Sequence, residues 1–335
     1  MTRTSPPRPA TALLSASLLL ALAGCSAAGG SGTPAEPAPS GATGDFPVTI
    51  TNCGHDLTLD HRPERIVLVN SDAVADIEAL GAVDRVVAIT AQPAPGLYDQ
   101  QTYDALGALT LLSAEKNATG GSVVSQESLL GATPDLVVAP ANAVDREALQ
   151  RAGIAVYTPP SYCPAPTSSS PATFDRVWSD LDDLGAILGE RHRADEVAAA
   201  LRESVSTAAA DRGTAAAVYV SSGGSVISPY GAQSMVTPVF QAAGLDNVYA
   251  DVDDRVFDVS AEDLVARDPQ TVVVLYSTGD PQSAVEAFTS APGVASMTAV
   301  RGARVVALPF PFTDPPSVLS VRGPAQLGAL LDDLR

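Results

Sequence analysis

Lysine is almost missing from this 335-residue chain: Lys116 stands alone, and arginine supplies the rest of the 19 basic residues. Against them stand 38 acidic residues, for a net charge of −19. So acidic a surface repels phosphate backbones, which excludes nucleic acid as a partner. Histidine and cysteine are equally scarce, three of each and no cluster of either. That excludes zinc ribbons, iron–sulfur clusters and multi-histidine metal sites, so no resident metal or cofactor is expected. Catalytic signatures are missing too: there is no Gly-x-Ser-x-Gly elbow, no P-loop and no Gly-x-Gly-x-x-Gly after the first strand. His55, His61 and His192 read as solvated surface, and no acid–base pair is visible. The chain reads as no enzyme. What it does have is apolar surface: hydrophobic residues reach 46% and charged residues only 17%. That supports sizeable cores, and the length suits two ordinary domains.

The N-terminus reads as an address. Arg3 and Arg8 precede an apolar run from Ala10 to Ala23. The run covers about 14 residues, short of the roughly 20 that a membrane-spanning helix needs. These are the n-region and h-region of a secretory signal peptide. The run ends in Leu22-Ala23-Gly24-Cys25, which resembles the lipobox of bacterial lipoproteins. The resemblance implies that residues 1–24 are removed and that Cys25 is lipidated, anchoring the protein to the outer face of the cytoplasmic membrane. Residues 25–45 are rich in Gly, Ser, Ala and Pro and read as a flexible tether. Cys53 and Cys163 then remain in an oxidising setting, as one disulfide or as two free thiols; export favours the bond.

The body alternates strands and helices. Residues 65–69, 85–89, 136–139 and 154–157 read as buried strands of an N-terminal α/β lobe over 46–172. Asn70-Ser71-Asp72 is placed to cap the helix that Gly81 stops. A helical stretch over 173–211, with a possible break at Gly189, reads as a long rigid connector. A second α/β lobe covers 212–335, with strands near 217–220, 271–275 and 304–308. The fold class is α/β: two Rossmann-like lobes with central parallel sheets joined by a long rigid α-helix. The lobes repeat each other: Ser125-Gln126-Glu127-Ser128-Leu129 ending at Pro134 matches Ser260-Ala261-Glu262-Asp263-Leu264 ending at Pro269. Such lobes place a cleft between the carboxyl ends of two sheets, where α/β folds bind ligands.

Order and spacing carry a resemblance. The lipobox, Thr51-Asn52-Cys53-Gly54, Pro63-Glu64-Arg65-Ile66-Val67, Glu78-Ala79-Leu80-Gly81 and the two Ser-x-Glu-x-Leu-x₄-Pro blocks resemble the helical-backbone substrate-binding lipoproteins of ABC importers. Within them the chain is similar to the group that binds ferric siderophores, haem and cobalamin. The resemblance implies a monomeric extracytoplasmic protein that captures an iron chelate, a ferric siderophore first, and delivers it to an ABC permease and its ATPase. Haem and cobalamin are the alternatives; a lipid-anchored sensory or structural lipoprotein with a vestigial cleft is a reading of another class. Cleft residues are expected on loops after strands: Asn70, Ser71, Gln92, Tyr98, Tyr103 and Asn142 in the N-lobe. The C-lobe would add Ser222, Tyr230, Tyr276, Phe310, Phe312 and Arg322. Aromatic rings suit a bulky chelate, and Arg322 would pair with its negative charge. The family also implies that Glu127 and Glu262 dock the permease, one per lobe. The stiff connector implies only a small closure on ligand.

Overall fold

Alternating apolar and polar residues fold Val48–Asn52 (β1) and His55–Leu59 (β2) into an antiparallel hairpin. Leu57 and Leu59 turn inward, and Cys53 and Gly54 make the turn at φ 53° and 78°. The computed structural model describes residues 46–113, 122–164, 171–205, 210–220, 226–277 and 279–334. All of them belong to one unit, Thr43–Arg335.

The N-lobe sheet is built from short, continuously apolar strands: Ile66–Leu68 (β3), Val86–Ile89 (β4), Thr110–Leu111 (β5), Leu136–Val138 (β6) and Ala155–Tyr157 (β7). Their order is β5-β4-β3-β6-β7, every pairing parallel. Ile66, Val67, Leu136 and Val137 are fully buried, as strands covered on both faces require. Helices Val74–Ala79 (α1), Gln100–Gly107 (α2), Gln126–Gly131 (α3) and Arg146–Arg151 (α4) belong to this lobe.

The C-lobe sheet joins Thr214–Val220 (β8), Ile227–Pro229 (β9), Asp246–Asn247 (β10), Thr271–Tyr276 (β11) and Val305–Pro309 (β12). Its parallel order is β10-β8-β11-β12, with β9 antiparallel on β8. The expected repeat is visible in the pairing. In each lobe a Ser-capped helix leads into a strand that lies between two parallel neighbours, β6 between β3 and β7, and β11 between β8 and β12.

The connector is not one rod. Asp175–Leu188 (α5) and Arg191–Ser204 (α6) are two helices of 14 residues each, and they pack against each other. Gly189 ends α5 in the left-handed region at φ 69°, a conformation glycine adopts without strain. Gly185 lets the pair approach: a Cβ there would stand 2.5 Å from the Ala194 Cβ. The start of α5 is tied to the C-lobe, where Ala172 N–H donates to the Ala232 carbonyl and Arg176 Nη1 to the Gln233 carbonyl. The turn is tied to the N-lobe: Arg85, 4% exposed, donates to the Leu188 carbonyl and pairs with Glu190, which also holds Arg62. So α5 runs from the C-lobe to the N-lobe and α6 returns. The helical periodicity read as one connector is real but reverses direction at Gly189.

Among the described residues the C-lobe α-helices are Val236–Ala243 (α7), Ala261–Arg267 (α8), Pro281–Thr289 (α9), Thr298–Arg301 (α10) and Val318–Asp332 (α11). The expected disulfide is present: Cys53 and Cys163 are joined with their Cα atoms 5.2 Å apart. The expected signal segment and tether, with Cys25, lie outside the described residues, as do residues 221–225 with Ser222. No helix among the described residues is long and apolar enough to cross a membrane.

Candidate functional site

Segments that follow β7 and β12, together with residues at the end of the antiparallel β9, bring a polar and aromatic set together between the lobes. From the N-lobe, Tyr162 follows β7 and donates its hydroxyl to Asp72 Oδ2 at 2.9 Å. From the C-lobe, Tyr230 and Phe310 follow β9 and β12 and pack with ring centroids 6.0 Å apart. Arg255 lies among them. Its Nη1 makes no hydrogen bond and stands 3.6 Å from Asp314 Oδ2. Asp314 is 1% exposed and also accepts from Ser234 Oγ at 2.6 Å and Met235 N–H at 3.3 Å.

The electrostatics follow from that placement. Burial works to lower the Arg255 guanidinium, but Asp314, Tyr162, Tyr230 and Asp72 together hold it above its ordinary value. Arg255 therefore stays a cation. Burial raises Asp314, and Arg255 and its hydrogen bonds oppose the rise. Burial also pushes the Tyr162 hydroxyl well above its ordinary value, with Asp72 adding to the shift and Arg255 opposing it. Tyr162 is thus a neutral donor. The set offers flat rings and one cation with spare hydrogen-bonding capacity, which suits a bulky ligand carrying oxygen acceptors.

The expected contact residues divide. Phe310, half-buried, and Tyr230, buried at 5% exposed, belong to this set. Asn142 is exposed and lines a cavity of about 320 Å³ with Tyr162, Cys163 and Pro164. Gln92 is exposed, and Ser71 and Tyr276 are half-buried. Tyr98 is half-buried and meets Tyr103 edge-on at 5.8 Å. Three of the expected residues are engaged elsewhere in the protein. Asn70, at φ 73°, accepts from Ser122 N–H through its side-chain oxygen at 3.0 Å, so it ties two loops. The Tyr103 hydroxyl donates to the Ala94 carbonyl at 2.6 Å and accepts from Leu97 N–H at 2.9 Å, so it closes its own loop. Phe312 is 9% exposed and belongs to the core. Arg322 is exposed on α11, and Arg255, which the sequence reading missed, is the cation beside Asp314, Tyr162, Tyr230 and Asp72. Arg255 follows Asp253-Asp254, a run that reads as solvated; only the tertiary fold encloses the arginine.

Glu127 and Glu262 occupy equivalent, exposed places in the first turns of α3 and α8. Their helices share the same start: Ser125 accepts from Ser128 N–H, and Ser260 accepts from Asp263 N–H. Hydrogen bonds from its own backbone N–H and from the Ser260 side chain lower the Glu262 carboxyl. Among the described residues, no group of three His, Cys, Asp or Glu is placed to hold a metal ion.

Comparison with known proteins agrees with this architecture. A family model described as periplasmic binding protein matches residues 66–311. A crystal structure described as an ABC-type Fe3+-hydroxamate transport system from Saccharomonospora viridis is 39% identical, covers 85% of this chain and 99% of its own, and superposes with a TM-score of 0.79. A periplasmic heme-binding protein from Pseudomonas aeruginosa shares the fold at 21% identity and TM-score 0.60, over 82% of this chain and 94% of its own. The cobalamin-binding protein of Halobacterium salinarum is 27% identical over 291 residues, 82% of this chain and 71% of that protein.

Proposed function

The chain belongs to the periplasmic binding protein family, and from that premise we propose that it captures a ferric siderophore between its lobes for an ABC importer. Proteins of this family are extracytoplasmic solute-binding components that work with ABC transporters. The observation that carries the siderophore reading is the 39% identity, over 85% of the chain, to the Fe3+-hydroxamate transport structure. The cleft supports it: half-buried Phe310, packed on Tyr230, offers apolar contact to the chelate's organic shell, and the Arg255 cation attracts its oxygen atoms. Cobalamin is the second reading, favoured by the 27% identity to the Halobacterium salinarum protein.

In this proposal Cys25 carries the lipid anchor. Glu127 and Glu262 pair with cationic side chains of the permease, one lobe on each half of a two-fold partner. Arginine at both positions is expected to abolish uptake and leave ligand affinity unchanged; normal transport, or lost binding, would sink the docking role.

Quenching of intrinsic tyrosine and tryptophan fluorescence tests the ligand. A ferric trihydroxamate is expected to quench saturably, with haemin and cobalamin weaker. Arg255→Gln is expected to weaken the ferric chelate about tenfold, as loss of one charge-assisted hydrogen bond of about 1.4 kcal/mol requires. Saturable quenching by cobalamin alone would establish the second reading instead.

A further inference from the structure

One hydrogen bond at the junction of the lobes spans 242 residues of sequence: Val318 N–H donates to Asp76 Oδ1 at 2.9 Å. Asp76 lies on α1 of the N-lobe, and Val318 is the first residue of α11 in the C-lobe. Asp76 is 2% exposed. Burying a carboxyl costs free energy unless a partner satisfies it. The partner here is one of the N–H groups that every helix start leaves open. Ser317 and Ser320 serve that helix start with a capping box, so the bond from Asp76 adds the opposite lobe to a cap the C-lobe already has.

The position of this bond relative to the cleft gives it a role. Asp72, which holds the Tyr162 hydroxyl, lies four residues before Asp76. Asp314, which pairs with Arg255, lies four residues before Val318. Each cleft wall therefore continues directly into one end of the bond. We propose that Asp76 is a positioning residue for the ligand cleft, holding the first turn of α11 and thereby setting the separation between the Asp72–Tyr162 wall and the Arg255–Asp314 wall. This rests on the cleft being the binding site, but the bond itself can be probed without ligand. Burial, with Asp180 of α5 adding repulsion, holds the Asp76 carboxyl well above the ordinary carboxylate range. A neutral side chain of the same shape can therefore replace it.

Three variants of the full chain separate the possibilities. Asp76→Asn keeps an oxygen acceptor for Val318 N–H, and Asp76→Ala removes it. Val318→Pro removes the donor from the other lobe. It stands at the first helical position, where proline is tolerated, and it follows Ser317, whose extended backbone (φ −167°, ψ 172°) suits a residue before proline. In ligand-free protein, Asp76→Ala and Val318→Pro are each expected to speed hydrogen exchange about tenfold in both 71–76 and 319–321. Both should also enlarge the radius of gyration in small-angle scattering, while Asp76→Asn matches wild type on both measures. Faster exchange in 319–321 alone, with 71–76 and the scattering unchanged, would reduce Asp76 to a helix cap and overturn the proposal. Equal behaviour of the Asn and Ala variants would overturn it as well. Should Asp76→Ala fail to fold, Val318→Pro carries the test with the carboxyl intact. No ligand enters these measurements, so failure of the siderophore reading would leave their outcome unchanged.

Discussion

Asn52 and Thr158 exchange two hydrogen bonds across 106 residues of sequence. Asn52 Nδ2 donates to the Thr158 carbonyl at 2.8 Å, and Thr158 N–H donates to Asn52 Oδ1 at 2.9 Å. Arg146 Nη2 closes the group, reaching Asn52 Oδ1 at 2.7 Å and Thr158 Oγ1 at 2.9 Å. The β1–β2 hairpin is thus fastened to the end of β7, and the segment that follows carries Tyr162 into the cleft.

Alanine at Asn52 strips partners from both Thr158 backbone groups and from Arg146. Leaving buried polar groups unpaired is expected to cost about 2–4 kcal/mol. For a chain of this size that lowers the melting temperature by roughly 3–7 °C. Calorimetry that finds no shift would mean the contacts are dispensable.

The neighbouring disulfide closes a separation of 110 residues, worth roughly 4–5 kcal/mol in the chain-entropy model. Mass spectrometry without reductant should find the Cys53 and Cys163 peptides linked. Serine at both positions should lower stability by that order in urea unfolding. Two free thiols in unreduced protein would contradict the bond.

Gly185→Ala should drive α5 and α6 apart, since the new Cβ would stand 2.5 Å from that of Ala194. Overpacking of this kind costs about 1–3 kcal/mol, even though alanine favours helix more than glycine does. Ala194→Gly in the same chain should restore much of the loss, a coupling that a double-mutant cycle measures. Additive effects would show that the two positions do not oppose each other.

Buried Asp180 makes stability depend on pH. Burial raises its carboxyl from 3.8 to about 7, with Asp183 adding to the shift and the Tyr157 hydroxyl bond opposing it. The folded form then holds a proton that the unfolded form releases near pH 4. The contribution of this group is fully present below about pH 4 and declines as pH rises toward about 7. Asp180→Asn, which keeps an acceptor for Tyr157, should flatten that decline. Urea unfolding of both proteins at four pH values checks it, since their difference isolates the group. Parallel curves would place the titration elsewhere.

How much of this was legible depends on where each signal resides. Leu136-Val137-Val138 announces a strand buried on both faces because its residues are apolar without a break. Ser125 and Ser260 announce helix starts because a hydroxyl that accepts from a backbone N–H three residues on is local chemistry. Asn70 misleads for the same reason: it looks like a cap, yet Ala73 stands at the helix start and makes no side-chain bond. The loop from Ser122 claims the asparagine oxygen first. Helical periodicity continues across Gly189, because a pattern of faces carries no information on direction. Arg255 escapes notice since nothing in its own segment marks it; its partners Asp314 and Tyr162 arrive from distant parts of the chain.

Two helices side by side, tied at their shared turn and at the start of α5, behave as a truss. Bending a single rod needs only curvature. Bending this pair requires one helix to slide lengthwise along the other, and at Gly185 there is no free space for a neighbour to ride over. Arg85, gripping both the Leu188 carbonyl and Glu190, pins the far end. The strain of any lobe movement is thereby pushed to the C-lobe end of the truss, where the Arg176 bond to the Gln233 carbonyl and the Ala172–Ala232 bond are the fastenings that must give.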